Sequence, residues 1–302
     1  MRKQFCDAMV ERAGGAAVAF LTGDLGFMAL EPLQKVMGPR FINAGIAEQN
    51  MLSVAAAMTK LGMEVWVYSI APFCYARPFE QIRNDIALHG LPVKIVGNGG
   101  GYGYGVMGPT HHAIEDYGVM LTLQDMRVCV PAFDEDVESA VLWTGSQTKP
   151  VYLRLGRGEA PIGFNVPSFS GWRQLVRGDG PVVVAVGPLV GSYISALENQ
   201  KQEVRPNLWV VSILPLSEAP PPVDFLLQLE NADRLIVAEE HVARGSFASE
   251  LLLHLAGKVA MPHRFDHLYA RAHRFERYGS QKYLRAESSL DLHALLKCIQ
   301  RE

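Results

Sequence analysis

Glu64-Val65-Trp66-Val67-Tyr68-Ser69-Ile70, then helical apolar spacing over Phe79–Leu88, then Leu91-Pro92-Val93-Lys94-Ile95-Val96: this strand–helix–strand stretch decides the fold class. The rhythm continues outward on both sides. Val18–Leu21 is a short apolar run ending in a Gly-Asp-Leu-Gly turn, and Ala47–Lys60 has helical spacing. Downstream, His112–Leu123 reads as helix, Arg127–Val130 as strand, Glu135–Thr144 as helix and Val151–Leu155 as strand. Strands alternating with helices build a parallel sheet covered on both faces. Arg157–Arg177 breaks the rhythm with Gly, Pro and Ser and no sustained period, as a linker does. A second series follows, with strands at Val182–Val186, Trp209–Leu214, Leu235–Val237 and Phe265–Tyr269. Helices at Ser192–Glu198, Phe225–Glu230, Phe247–Leu255 and Leu290–Ile299 alternate with them. The expected architecture is α/β throughout. A first domain spans 1–157, a linker 158–178 and a second domain 179–302, each domain a mostly parallel sheet with helices on both faces.

Composition narrows the function. Of the 302 residues 49% are hydrophobic and 20% charged, enough to bury a core and too apolar for a disordered chain. The net charge is −3 and no run of Lys or Arg exceeds two, which speaks against nucleic-acid binding. Cys6, Cys74, Cys129 and Cys298 are far apart and form no CxxC, so neither a disulfide framework nor a cysteine zinc site is expected. No apolar stretch reaches the roughly 18–20 residues that span a bilayer, and the first residues lack the apolar core of a signal peptide. A soluble cytoplasmic protein is the expectation.

Three stretches carry candidate chemistry. In Asn43-Ala44-Gly45-Ile46-Ala47-Glu48-Gln49-Asn50-Met51 a carboxylate stands where a loop enters a small, apolar helix; by itself, a favourable place near the helix dipole is the better account of it. Gly97–Gly108 is dominated by glycine and runs on into Pro109-Thr110-His111-His112. It follows an apolar strand, on the side where open α/β sheets bind ligands. Two adjacent histidines on a helix point about 100° apart, so at most one faces a site. Ala71-Pro72-Phe73-Cys74-Tyr75-Ala76-Arg77-Pro78-Phe79-Glu80-Gln81 adds aromatics after a strand, for which core packing is the simpler account.

Together these stretches resemble the pyrimidine-binding half of transketolase and of deoxyxylulose-phosphate synthase, both thiamine-diphosphate enzymes. Gly23-Asp24-Leu25, Gly45-Ile46-Ala47-Glu48-Gln49-Asn50, Arg77 with Phe79-Glu80-Gln81, and Gly108-Pro109-Thr110-His111 arrive in the family's order. Gly180–Gly187 and Glu239-Glu240-His241 resemble its C-terminal domain. The family's diphosphate and magnesium half is missing. Gly178-Asp179-Gly180, with Asn207 downstream, mimics its motif but runs directly into Pro181 and an apolar strand, so a turn between strands is expected there.

The resemblance implies roles. Glu48 would be the acid at pyrimidine N1′ that drives the cofactor's 4′-amino group to its imino form, so that C2 of the thiazolium loses its proton; a dry pocket with a raised pKa is expected for it. Phe73 or Tyr75 would stack on the pyrimidine, beside Arg77. Asp24 would lie near the thiazolium, and His111 would face the reacting carbonyl. His112, Met107 and Arg154 are candidate substrate contacts. Met107 stands where relatives carry an Asp, Gly99 where transketolases carry a His, and Val130 where they carry an Arg. These departures predict poor activity on xylulose 5-phosphate and ribose 5-phosphate. The leading reading is the small subunit of a split transketolase, passing a two-carbon ketol unit from a ketose to an aldehyde. It would work as a homodimer within a heterotetramer whose other chain binds the diphosphate and supplies most of the magnesium coordination. A decarboxylating synthase subunit (supported by Arg77 and Arg154), the beta subunit of a 2-oxo-acid dehydrogenase and a degenerate stabilising partner are the alternatives.

Overall fold

The computed structural model describes residues 1–14, 17–26, 28–271, 273 and 279–301. Its strands are β1 (Val18–Thr22), β2 (Phe41–Asn43), β3 (Glu64–Ile70), β4 (Lys94–Asn98), β5 (Arg127–Cys129), β6 (Val151–Leu155), β7 (Trp172–Val176), β8 (Val182–Val186), β9 (Asn207–Val211), β10 (Ile213–Leu214), β11 (Arg234–Glu239) and β12 (Arg264–Tyr269). The helices are α1 (Arg2–Ala13), α2 (Glu31–Met37), α3 (Glu48–Lys60), α4 (Ala71–Tyr75), α5 (Phe79–Gln81), α6 (Asp116–Met120), α7 (Val137–Ser146), α8 (Ile194–Glu198), α9 (Val223–Asn231), α10 (Phe247–Leu255), α11 (Gln281–Glu287) and α12 (Leu292–Gln300).

Among the described residues these strands form a seven-stranded sheet, β10-β5-β6-β4-β3-β1-β2, and a five-stranded sheet, β12-β11-β8-β9-β7. All pairs are parallel except β10 with β5 and β7 with β9. The inner strands β1, β4, β6, β8 and β11 are buried along their whole length, as fully covered parallel strands are. In the first sheet the chain leaves β1 for β2 on one side and returns to β3 on the other. That reversal opens a crevice beyond the carboxyl ends of β1 and β3. The second sheet reverses in the same way about β8, which lies between β9 and β11.

Several sequence-based expectations need correction. Trp172–Val176, inside the expected linker, is a strand; Arg173 and Gln174 interrupt its apolar residues and it lies on a sheet edge. The expected strand Trp209–Leu214 breaks at Ser212, and Ile213–Leu214 crosses to pair with Cys129 and Val128 of the first sheet. The apolar core runs without interruption from Val65 and Val67 to Val184 and Val237, so the two sheets share it. The helix expected over His112–Leu123 shortens to Asp116–Met120, because His112 is extended and Ala113 bridges to Gly101. The segment Phe79–Leu88 forms α5 and then a π-helical turn, Ile82–Ala87. Gly178-Asp179-Gly180 does join two strands, and Asn207 Oδ1 accepts from Gly178 N (3.3 Å) and Gln174 Nε2 (3.0 Å). The Asn207 side-chain oxygen is thus committed within the turn.

Candidate active site

Four loops converge at the carboxyl end of the first sheet, around its switch point. The first follows β1 and carries Asp24, whose N–H bonds Gly45 O at 2.8 Å, stitching it to the loop that enters α3. Asn43 at the end of β2 donates to Asp24 Oδ1 (3.0 Å) and accepts from Gly45 N (2.8 Å). Gly45 takes φ +67°, a left-handed conformation that suits this turn.

Glu48 is the first residue of α3 and is buried, 5% exposed. Met51, Leu52, Ala55 and Ala56 pack the same helix face into the core, which fixes where Glu48 points. Arg77 Nη1 donates to Glu48 Oε1 at 3.0 Å. The same guanidinium lies over the Phe73 ring, 3.8 Å from its centroid. Phe73 in turn meets His111 edge-on, with centroids 5.3 Å apart. Glu48, Arg77, Phe73 and His111 therefore form one continuous cluster. Glu48 is buried, and the half-exposed Arg77 cation is set against it.

Tyr104 was missed by sequence reasoning. Its ring fills the space above Gly99, where a Cβ would lie 2.2 Å from it. Its hydroxyl accepts from Asn98 Nδ2 at 2.6 Å, and its ring meets His111 at 6.2 Å. The Tyr-Gly-Tyr-Gly run inside the loop was the available signal, because nearby glycines let a tyrosine ring fold back on the backbone. The His111 Nδ1 shares a 2.9 Å hydrogen bond with Thr110 Oγ1.

Other expected site residues lie elsewhere. Tyr75 is buried, and its hydroxyl donates to Glu115 Oε2 (3.3 Å); burial, with Asp116 and Glu115 nearby, pushes its phenol up. Phe73, not Tyr75, borders Glu48 through Arg77. His112 is 4% exposed, bonds Gly105 O at 3.0 Å and stacks on His273; burial holds its imidazole below the ordinary value. Arg154 is 3% exposed and spends its guanidinium on Asp116 (2.8 Å), Ala113 O (2.9 Å) and Glu240 O (2.9 Å). It is a strut, with no open face for a substrate. Met107 is exposed on the turn Gly105–Met107. Val130 belongs to the core, against Gly187, and does not border the cluster.

The glycine-rich loop is no loose flap. Added Cβ atoms would strike Tyr152 at Gly97 (2.3 Å), Arg154 at Gly100 (2.5 Å), the Glu240 carboxyl at Gly101 (2.7 Å) and Gly279 O at Gly105 (2.3 Å). It is clamped between the two sheets. Glu240, from the carboxyl end of β11, accepts from Tyr102 N (3.2 Å), Gln281 Nε2 (3.2 Å) and Arg285 (3.0 Å). Its neighbours complete the joint. Glu239 accepts from Tyr117 Oη and from Phe247 N and Ala248 N at the start of α10 (both 3.0 Å). Gly118 N donates to His241 Nε2 (3.1 Å), so the proton of that ring sits on Nδ1, facing Val242 O.

Comparison with known proteins adds what geometry alone does not. The family described as transketolase, pyrimidine binding domain, matches residues 12–162. One subunit of the apulose-4-phosphate transketolase of Phocaeicola vulgatus is 29% identical over 256 residues, covering 82% of this chain and 81% of that protein. 1-Deoxy-D-xylulose-5-phosphate synthase 2 of Geobacter sulfurreducens is 30% identical and covers 85% of this chain; the chain spans 41% of that longer protein. A solved structure described as a split gene transketolase, inactive beta4 tetramer, superposes with a TM-score of 0.82 at 25% identity, covering 99% of this chain and 96% of that one.

Proposed function

This chain belongs to the transketolase family through its pyrimidine-binding domain, and on that footing we propose that it is the pyrimidine-binding subunit of a split transketolase. It would transfer a two-carbon ketol unit from a ketose to an aldehyde with thiamine diphosphate. The single observation that carries this is the cluster of Glu48, Phe73 and His111 at the switch point.

The residues suit the cofactor's pyrimidine. A flat cation already lies on Phe73 and reaches Glu48, so the pair has room for a planar group, and Glu48 in its acid form would donate to the ring nitrogen. Thiamine diphosphate, when bound, supplies the nucleophilic carbon that the protein lacks. Glu48 would hold the pyrimidine N1′ and Phe73 its face. His111, half-buried and fixed by Thr110, would donate a hydrogen bond or proton at the substrate carbonyl oxygen. Asp24, on the neighbouring loop, would balance positive charge on the thiazolium.

The diphosphate and magnesium belong to a second chain in this proposal. The Gly-Asp-Gly of this chain is a strand-to-strand turn whose Asn207 is already engaged, so it does not fit a metal motif. A relative named as one subunit of a transketolase and a fold neighbour described as a split gene transketolase support a partner subunit; the assembly proposed is a homodimer of this chain within a heterotetramer. The substrate proposed is a small sugar from a specialised pathway. No described helix is long and apolar enough to cross a membrane, and the four cysteines are buried free thiols; both support a cytoplasmic location.

The decarboxylating synthase is the second reading, favoured by the likeness to the Geobacter synthase. Of the two arginines that suggested it, Arg154 is sealed in an ion pair with Asp116. The test mixes the chain with a diphosphate-binding chain bearing a true Gly-Asp-Gly…Asn motif, thiamine diphosphate and magnesium. Ketol transfer without carbon dioxide is expected. Carbon dioxide release from pyruvate would establish the synthase instead, and no turnover with either substrate class would leave a stabilising partner.

A further inference from the structure

We propose that Arg77 is a built-in occupant of the pyrimidine subsite, and that cofactor binding is an exchange in which the aminopyrimidine displaces its guanidinium from Glu48 and Phe73. This rests on the reading of Glu48 as the pyrimidine partner. Three observations carry it. Arg77 meets the same two groups that the pyrimidine would use: Nη1 reaches Glu48 Oε1 at 3.0 Å, and Cζ lies 3.8 Å above the Phe73 ring. A guanidinium is flat and about as wide as one aromatic ring edge, so it imitates the stacked pyrimidine in shape; in hydrogen bonding the polarity reverses, since Arg77 donates to the Glu48 carboxylate whereas N1′ accepts from its acid form, so the exchange takes up one proton between Glu48 and N1′. Finally, the two partners differ in accessibility. Glu48 is 5% exposed and fixed at a helix start, whereas the Arg77 side chain is 49% exposed and follows the short helix α4. Arg77 is thus the member that can swing away, while Glu48 and Phe73 stay.

Two consequences follow for the chain itself. Left without a ligand, a buried carboxylate carries a large desolvation cost; Arg77 relieves it and keeps the subsite shaped. The same contacts compete with the cofactor, and the apparent affinity falls by the fraction of chains in which Arg77 has left. A half-exposed ion pair together with a cation–π contact corresponds to about a 3- to 30-fold reduction in affinity. The displaced guanidinium remains within a side chain's reach of the site, near His111, where an anionic substrate group would meet it.

The test uses the full chain and an uncharged probe, 4-amino-5-hydroxymethyl-2-methylpyrimidine, titrated by NMR at millimolar concentrations. Arg77→Ala should bind the probe about 3- to 30-fold more tightly than the wild type, with Arg77→Lys between them because it keeps the charge and loses the flat stack. Added salt screens the ion pair, so it should strengthen probe binding to the wild type and leave Arg77→Ala unchanged. Equal or weaker binding by Arg77→Ala, with wild-type binding lost in Glu48→Ala, would overturn the exchange and keep Glu48 as the pyrimidine partner. Wild-type binding that survives Glu48→Ala, or none by any variant, would overturn both.

Discussion

His111 stands at the meeting point of Phe73 and Tyr104, and its ring is half-buried where a substrate would approach. If it moves a proton or donates a hydrogen bond in the reaction, His111→Gln should lower kcat by about 10²–10⁴-fold while the affinity for thiamine diphosphate stays at the wild-type value. Steady-state kinetics on the assembled complex, paired with calorimetric titration of the cofactor, separates the two effects. A matched loss of cofactor affinity would make His111 a packing residue of the pyrimidine subsite. At this scale the sequence was informative where a residue type and its neighbours both constrain chemistry. Glu48 and His111 could be named because the stretches that hold them resemble, in the same order, the motifs of one family; by itself a carboxylate before an apolar helix reads first as a residue placed near the helix dipole. Arg154 and His112 misled because a sequence shows a charged or titratable side chain and not its counterpart. Asp116 lies 38 positions from Arg154, and Gly105 O, which holds His112, is a backbone atom no residue type announces.

The glycine-rich loop is the element through which the second sheet reaches the site. Gly101 takes φ +64°, and a Cβ there would press on the Glu240 carboxyl at 2.7 Å. Gly101→Ala should therefore cost about 1–3 kcal/mol through overpacking and backbone strain, lowering Tm by roughly 2–4 °C per kcal/mol. Gly163→Ala is the control for strain alone, since it has φ +81° with nothing within 4 Å of the added carbon. A Gly101 variant no less stable than the Gly163 variant would show that the joint is loose. Composition announced this loop but assigned it to ligand binding; the close contacts that require its glycines lie on Glu240, Arg154 and Gly279, all remote in sequence. Short edge strands escaped for a related reason. Trp172–Val176 and Ile213–Leu214 carry too few residues, or too polar a face, for a period to emerge, and their pairing depends on partners in distant segments. The inner strands, apolar along their length, needed no such context.

Across the whole molecule, one buried cation ties stability to pH. Lys94, on the central strand β4, is 1% exposed, and burial pushes its ammonium from 10.5 down to about 8. Between about 8 and 10.5 the unfolded chain keeps a proton that the folded chain has shed, so this group makes stability rise with pH there. Below 8 the cost of burying the charge is fully present. Lys94→Met should flatten the climb of Tm between pH 8 and 10; an unchanged slope in scanning calorimetry would acquit Lys94. Each sheet offers a switch point, and the proposed chemistry lies at the first. The second, with Glu239, Glu240 and His241, braces the loop that presents His111. In the proposed reading, activity turns on Glu48. The most direct measurement is the rate at which the C2 proton of thiamine diphosphate exchanges with deuterium in the assembled complex, followed by NMR for the wild type and Glu48→Ala. If Glu48 activates the cofactor, exchange should be slower by about 10²–10⁴-fold in the variant, with the fold unchanged by circular dichroism. Equal rates would contradict this reading and remove Glu48 from cofactor activation.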